Sequence, residues 1–210
     1  MFTGIVQGVC RVAGVVDEPG LRRLRIDLGE LALGLETGAS VAINGTCLTA
    51  THIDAGRVGF DLIRESADRS NLGAIRAGDR VNVERSLKFG DEIGGHVLSG
   101  HVADTVTVAQ IDAGAHERSV WLDVAPQWLP YLFHKGFVAL DGASLTIARV
   151  DRERARIAVS LIPETIARTT LGHVGVGDRV NLEIDAQTLA IVSTVERLLR
   201  DPEFRRGVGV

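Results

Sequence analysis

Val41-Ala42-Ile43-Asn44-Gly45-Thr46-Cys47-Leu48-Thr49 returns, later in the same chain, as Val138-Ala139-Leu140-Asp141-Gly142-Ala143-Ser144-Leu145-Thr146. In each stretch an Asn-Gly or Asp-Gly dipeptide sits between short apolar runs. That is the strongest local signal for a β-hairpin, because a type I′ turn needs positive φ at both central residues. Working outward, Gly78-Asp79-Arg80-Val81-Asn82-Val83-Glu84 returns as Gly177-Asp178-Arg179-Val180-Asn181-Leu182-Glu183, and Thr3-Gly4-Ile5-Val6 as Ser99-Gly100-His101-Val102. The paired glycines are offset by 96 (4 to 100), 97 (45 to 142) and 99 (78 to 177) residues, so the copies share one order with small insertions. Solenoid repeats have periods of about 20–50 residues, so this is a duplicated domain.

Period-two alternation recurs through both copies, as in Leu24, Ile26 and Leu28 against Arg25 and Asp27, or Val120, Leu122 and Val124 against Trp121 and Asp123. It predicts half-buried antiparallel strands, with Arg22, Arg23 and Arg25 on a solvated face. About six short strands per copy, with turns at regular spacing, suggest two small barrels closed so that no sheet edge is left exposed. Short helices are expected over 65–72 and 164–171, closed by Gly73 and Gly172, and a helical turn over 126–134. The longest helix is expected over 188–204, where Ile191, Val195, Leu198 and Leu199 fall on one stripe and Pro202 disturbs the end. It has no counterpart in the first copy, so it either packs on its own domain or serves oligomerisation. The expected division is 1–96, 97–187 and 188–210.

The 210 residues carry a formal charge of −4, which argues against a nucleic-acid surface. No stretch approaches the roughly 20 apolar residues of a membrane span, and Met1-Phe2-Thr3-Gly4-Ile5-Val6 does not read as a signal peptide. Cys10 and Cys47 are the only cysteines and form no CxxC pair, so a reduced cytoplasmic setting is expected. Asn44-Gly45-Thr46 matches a glycosylation sequon, but it reads as a turn.

Where the copies disagree in reactive residue types, asymmetric chemistry is expected: Cys47 against Ser144, Ile5 against His101, Ser86 against Asp185. Each residue has a plainer reading beside the functional one. A free Cys is most often a small buried hydrophobe, a hairpin Ser bonds its own backbone, and Asp185 after a strand is a strand-end or cap residue. Lys135 is either an exposed turn residue or an anion contact. His96 and His101 lie five apart with no further ligand at zinc-like spacing, so no metal is expected.

The motifs Met1-Phe2-Thr3-Gly4-Ile5-Val6-Gln7-Gly8, Asn44-Gly45-Thr46-Cys47-Leu48-Thr49, Gly95-His96-Val97-Leu98-Ser99-Gly100-His101-Val102, Asp141-Gly142-Ala143-Ser144-Leu145-Thr146, Ile162-Pro163-Glu164-Thr165 and Asn181-Leu182-Glu183-Ile184-Asp185 occur in order along the chain. Together they resemble the riboflavin synthase (alpha chain) family of lumazine-binding repeat proteins over essentially the whole length. The resemblance implies an all-β fold of two tandem six-stranded Greek-key barrels plus a C-terminal helix, assembled as a homotrimer. It implies a transferase that dismutates two molecules of 6,7-dimethyl-8-ribityllumazine into riboflavin and 5-amino-6-(D-ribitylamino)uracil, without metal or cofactor, and lumazine synthase as a further partner. Active sites would form between an N-terminal barrel and a neighbouring chain's C-terminal barrel.

Carried over position by position, the resemblance implies first-copy ligand contacts at Gly4, Ile5, Val6, Ser40, Cys47, Leu48, Thr49, Asp61, Leu62, Ile63, Arg64, Glu65 and Ser66. Those of the second copy would be Gly100, His101, Val102, Lys135, Ser144, Leu145, Thr146, Ser160, Leu161, Ile162, Pro163, Glu164 and Thr165. Cys47, His101, Ser144 and Asp185 are the candidate catalytic residues. Ser66 stands where the family commonly has Thr, which keeps the hydroxyl. The rival expectation is a non-catalytic lumazine or flavin binder of the antenna type. Retention of His101, Ser144 and Asp185 in the second copy favours the enzyme.

Overall fold

The computed structural model describes residues 1–114 and 117–208. Twelve strands form two closed barrels. In the first, β1 (Gly8–Glu18), β2 (Leu21–Asp27), β3 (Ser40–Ile43), β4 (Thr46–Asp54), β5 (Arg57–Ile63) and β6 (Arg80–Arg85) are ordered β1-β2-β5-β4-β3-β6 around the barrel. In the second, β7 (Asp104–Ala113), β8 (Arg118–Asp123), β9 (Phe137–Leu140), β10 (Ala143–Asp151), β11 (Arg156–Leu161) and β12 (Arg179–Ile184) repeat that order six strands on. All pairings are antiparallel. The duplication extends to the irregularities: register shifts at Val12/Gly14 and Ala50/His52 recur at Val108/Gln110 and Ile147/Arg149. Such bulges tighten the local twist, which a small barrel needs to close.

Each barrel is filled by its alternating apolar positions. Leu24, Ile26, Val58, Phe60 and Leu62 are at most 1% exposed in the first, and Leu122, Leu140, Ile147, Ile157 and Leu161 in the second. Each such side chain contributes roughly 1.5–3 kcal/mol on burial. The expected hairpin turns are present, with φ of 44° at both Asn44 and Asp141 and 76° and 78° at Gly45 and Gly142.

The helical expectations need correction. The 65–72 segment divides into α1 (Arg64–Arg69) and a 3-10 turn at Asn71–Ala74, and 164–171 into α2 (Pro163–Arg168) and a 3-10 turn at Thr170–Gly172. At the break Ser70 and Thr169 turn extended, and each hydroxyl folds back onto a carbonyl four residues earlier, of Ser66 or Thr165. The 126–134 turn is a 3-10 helix at Pro126–Tyr131. The 188–204 helix is two: α3 (Ala186–Arg200) and α4 (Pro202–Val208). Pro202 opens the second rather than fraying the first, since a proline suits the first helical position and the Asp201 carboxylate accepts from the Glu203 amide at 2.8 Å. The last two residues of 188–210 lie outside those described. No residue of α3 is buried, and no described helix is long and apolar enough to cross a membrane.

The barrels meet about a pseudo-two-fold axis. Asn82 Nδ2 donates to the Asp141 carbonyl at 2.9 Å, and Asn181 Nδ2 to the Asn44 carbonyl at 2.8 Å. The Asn71 and Thr170 amides donate to Asn181 Oδ1 and Asn82 Oδ1. At the axis the two hairpin turns touch, and a Cβ on Gly45 or Gly142 would lie 2.7–2.8 Å from the other's backbone nitrogen. Phe2 and Leu98 form an antiparallel bridge, each amide donating to the other's carbonyl at 2.9 Å. Phe2, Leu98, Ala42 and Ala139 pack into a small core between the barrels.

Candidate functional site

The segments before β1 and β7 act as straps, and each crosses to the other barrel. Ser144 on β10 donates its amide to the Gly4 carbonyl at 2.8 Å, and Cys47 on β4 donates to the Gly100 carbonyl at 2.9 Å. Both glycines have positive φ, 74° and 78°. A Cβ on Gly4 would sit 2.5 Å from the Ser144 Cβ, and one on Gly100 2.6 Å from the Cys47 Cβ. Val6 belongs to the buried core of the second barrel. The contacts implied by the resemblance are therefore regrouped. Gly4, Ile5 and Val6 accompany Ser144, Leu145 and Thr146, whereas Gly100, His101 and Val102 accompany Cys47, Leu48 and Thr49. Nothing local in sequence marks this exchange, which depends on contacts 140 residues apart (Gly4 to Ser144) and 53 apart (Cys47 to Gly100).

Along each hairpin the strand period sorts the candidates. Leu48 and Leu145 point into the cores, while Cys47, Thr49, Ser144 and Thr146 face outward. Ser40 pairs with Thr49, and its carbonyl accepts from Ser86 Oγ at 2.7 Å. Asp61, Leu62, Ile63, Arg64, Glu65 and Ser66 run from the end of β5 into α1, as Ser160, Leu161, Ile162, Pro163, Glu164 and Thr165 run from β11 into α2. Leu62 and Leu161 are core residues, but Ile63 and Ile162 are 55% and 60% exposed. Arg64, Glu65, Pro163 and Glu164 are exposed; Glu65 and Glu164 form i,i+4 ion pairs with Arg69 and Arg168. Lys135 is exposed and adopts φ 67°, a left-handed conformation at the place where Gly38 has φ 92°. Its amide donates to the Ile147 carbonyl at 2.9 Å, as Gly38's does to Ala50 at 2.8 Å.

His96, which sequence reasoning weighed only as a metal ligand, is the residue that joins the site. Its Nδ1 lies 2.7 Å from Ser144 Oγ. Its ring stacks on Phe137 at 5.1 Å between centroids. Its Nε2 is buried without a hydrogen-bond partner among the described residues. Burial pushes the imidazole below its ordinary range, partly offset by the nearby Asp185 carboxylate, so the ring is neutral at neutral pH. The linker between β6 and β7 (residues 86–103) delivers this imidazole to one nucleophile position only. Cys47, at the equivalent place, packs instead against Phe2, Ala42, Leu98 and Ala139. A sequence signal existed, since the linker places a histidine beside one of two matched sites.

His101 is exposed, as is its counterpart Ile5 at 47%. Asp185 does two things at once. Its carboxylate caps α3, accepting from the Thr188 amide at 2.8 Å and hydroxyl at 2.7 Å, and its charge reaches His96. No group of three or more metal-ligating side chains occurs among the described residues.

The lumazine binding domain matches twice, at residues 3–86 and 99–185. The riboflavin synthase of Escherichia coli (strain K12) is 50% identical over 201 residues, 95% of this chain and 93% of the relative. That of Chlamydia pneumoniae is 42% identical over 200 residues, 95% and 97% of the two chains. The chain belongs to the riboflavin synthase family. LumP complexed with riboflavin shares the fold, with a TM-score of 0.82 at 23% identity over 88% of this chain and 100% of that one. LumP complexed with 6,7-dimethyl-8-(1'-D-ribityl) lumazine aligns at 0.80 and 22%, over 88% and 99%. Each match of the lumazine binding domain spans one barrel with its hairpin and begins in the strap that closes on the other barrel's hairpin.

Proposed function

We propose that this protein is a riboflavin synthase, transferring a four-carbon unit between two molecules of 6,7-dimethyl-8-ribityllumazine to give riboflavin and 5-amino-6-(D-ribitylamino)uracil. The observation that carries the reading is half-identity to a curated riboflavin synthase over nearly the full length of both chains. The reaction needs a carbanion from the 7-methyl of one lumazine, a nucleophile at C7 of the other, and both rings held face to face. Two matched cradles supply the last requirement, and orientation alone is worth effective molarities of about 10⁵ M or more. The Ser144–His96 pair suits the second: a neutral imidazole takes the proton as the hydroxyl, or a water held by it, adds to C7. Acid–base help of this kind contributes about 10²–10⁴-fold. His101, Cys47 and Asp185 are assigned to the same chemistry, and Lys135 with the 61–66 and 160–165 segments to ligand contacts.

The assembly we propose is a homotrimer, supported by the stripe Ile191, Val195 and Leu199, 64%, 48% and 48% exposed on a helix that buries none of its own residues. Ile5 and His101 then face a neighbouring chain. A cytoplasmic setting and association with lumazine synthase complete the reading. The rival, a lumazine or flavin binder without turnover, draws on the likeness to LumP. Mixing the purified chain with the lumazine and following riboflavin absorbance separates them: the enzyme generates riboflavin at substoichiometric protein, and a binder only shifts the ligand's spectrum.

A further inference from the structure

The two straps are held by two buried glutamates that do their work differently. Glu84 on β6 is the cross-strand neighbour of Ala42, which is the neighbour of Cys47 on β4. Glu183 on β12 stands in the same relation to Ala139 and Ser144. Each glutamate thus shares a sheet face with its own barrel's reactive position, with one small alanine between them. Both are about 95% buried, Glu84 at 4% and Glu183 at 5% exposed.

Glu84 uses both oxygens. Oε1 accepts from the Thr3 amide at 2.6 Å and hydroxyl at 2.7 Å, and Oε2 accepts from the Gly4 amide at 3.0 Å. Glu183 uses one. Its Oε1 accepts from the Ser99 amide and hydroxyl, both at 2.8 Å, and from the Gly100 amide at 3.1 Å. Its Oε2 is buried without a hydrogen bond of normal geometry among the described residues; the His101 amide, which donates to Ser99 Oγ at 3.3 Å, exerts only the weakest pull on this carboxylate. The strap gripped by Glu84 is the one that reaches Ser144. A continuous line therefore runs from Glu84 through the Gly4 peptide to the Ser144 amide, and from Ser144 Oγ to His96 Nδ1.

We infer that Glu84, on the first barrel, is a positioning residue for the Ser144–His96 pair on the second, and that it must act as a carboxylate with two free acceptor oxygens. Glu183 fills the matching place and needs only one. The inference rests on the riboflavin synthase reading of the site.

The consequence for matched substitutions follows from donor counting. In Glu84→Gln the carboxamide NH₂ must face either the Gly4 amide or the Thr3 donors, placing donor against donor, which costs more than the bond it replaces. In Glu183→Gln the carbonyl keeps all three donors and the NH₂ takes the place of the unpartnered oxygen. Steady-state turnover of the lumazine by the full-length chain and both variants, with thermal melts and circular dichroism alongside, tests this. We expect Glu84→Gln to lose at least tenfold in kcat with KM within threefold of the unaltered chain, and Glu183→Gln to stay within twofold on both. A milder pair trims one hydroxyl from each clamp and decides the matter if Glu84→Gln does not fold: Thr3→Val should lower kcat at least threefold and Ser99→Ala less than twofold. Equal behaviour within the pair of folded variants overturns the positioning inference while leaving the function intact. Failure of the unaltered chain to make riboflavin overturns both.

Discussion

Ser144 Oγ and His96 Nδ1 lie 2.7 Å apart, a side-chain bond between a hairpin of the second barrel and the linker that follows the first. Cys47, the repeat counterpart of Ser144, borders Phe2 and Leu98 in an apolar nook instead. Ser144→Ala and His96→Gln should each lower kcat by about 10²–10⁴-fold, the usual range for acid–base help. Because burial lowers the His96 pKa from its ordinary 6.5, the base is neutral above that lowered value. Turnover should therefore fall with acid only below pH 6.5. Wild-type rates in both variants would remove the pair from the reaction.

Asp185 carries a helix cap and a charge, and one substitution separates them. Asn caps a helix about as well as Asp, so Asp185→Asn should leave α3 and the melting temperature nearly unchanged. It removes the carboxylate near His96, and kcat should drop well over tenfold, as for His101→Ala. Unchanged turnover in both variants would show that Asp185 is a cap alone and that His101 is a bystander.

Lys135 holds a left-handed backbone where the first repeat uses Gly38. That conformation costs a non-glycine residue about 1–2 kcal/mol, and a glycine there costs about 0.5–1 kcal/mol in chain entropy. Lys135→Gly should consequently leave stability unchanged or raise it by up to about 1.5 kcal/mol, read by urea denaturation, while weakening lumazine binding in a fluorescence titration. Unchanged affinity would reduce Lys135 to a turn residue.

Asp141 is a buried carboxyl at the inter-barrel axis where the first repeat has Asn44. Burial pushes its pKa up to about 7 from 3.8, against the bonds it accepts from the Asn181 amide and Asn71 Nδ2. Between those two values the folded chain holds a proton that the unfolded chain releases. Stability should therefore fall as pH rises from about 4 to about 7, by a few kcal/mol, and then level off. Asp141→Asn keeps the acceptor oxygen and should flatten that slope in melts taken across pH 4–8. A slope of equal size in the variant would place the titrating group elsewhere.

The exposed stripe on α3 predicts association. A chain ending before Leu189 should run as a smaller species by light scattering and turn over poorly, because the Ile5 and His101 faces lose their neighbour. An unchanged mass would move the interface off the helix.

The barrels were legible because their signals are local. Period-two alternation marks the strands, and Asn44-Gly45 and Asp141-Gly142 mark the hairpins through a φ that few residues tolerate. The break at Ser70 and Thr169 was not legible, since a hydroxyl folding onto a carbonyl four residues back competes with helix on nearly equal terms. The residues implied by the family mix core leucines such as Leu48 and Leu161 with exposed positions such as Thr49 and Ile162, and their crosswise grouping depends on contacts such as Gly4 with Ser144. Glu84 and Glu183 were visible only as matching letters of a repeat, because their partners are backbone amides that any residue carries.

The crossed straps also impose an order on folding. Val6 beds into a barrel built from residues 104–184, and Gly4 against a hairpin within it, so a segment that precedes both barrels in the chain must wait for the second before it can settle. Until then the first barrel stands with its Glu84 carboxylate ungripped. A segment made ahead of the first barrel is thus among the last to become native, and a slow second barrel would leave the strap that carries Gly4 and Val6 without its seat.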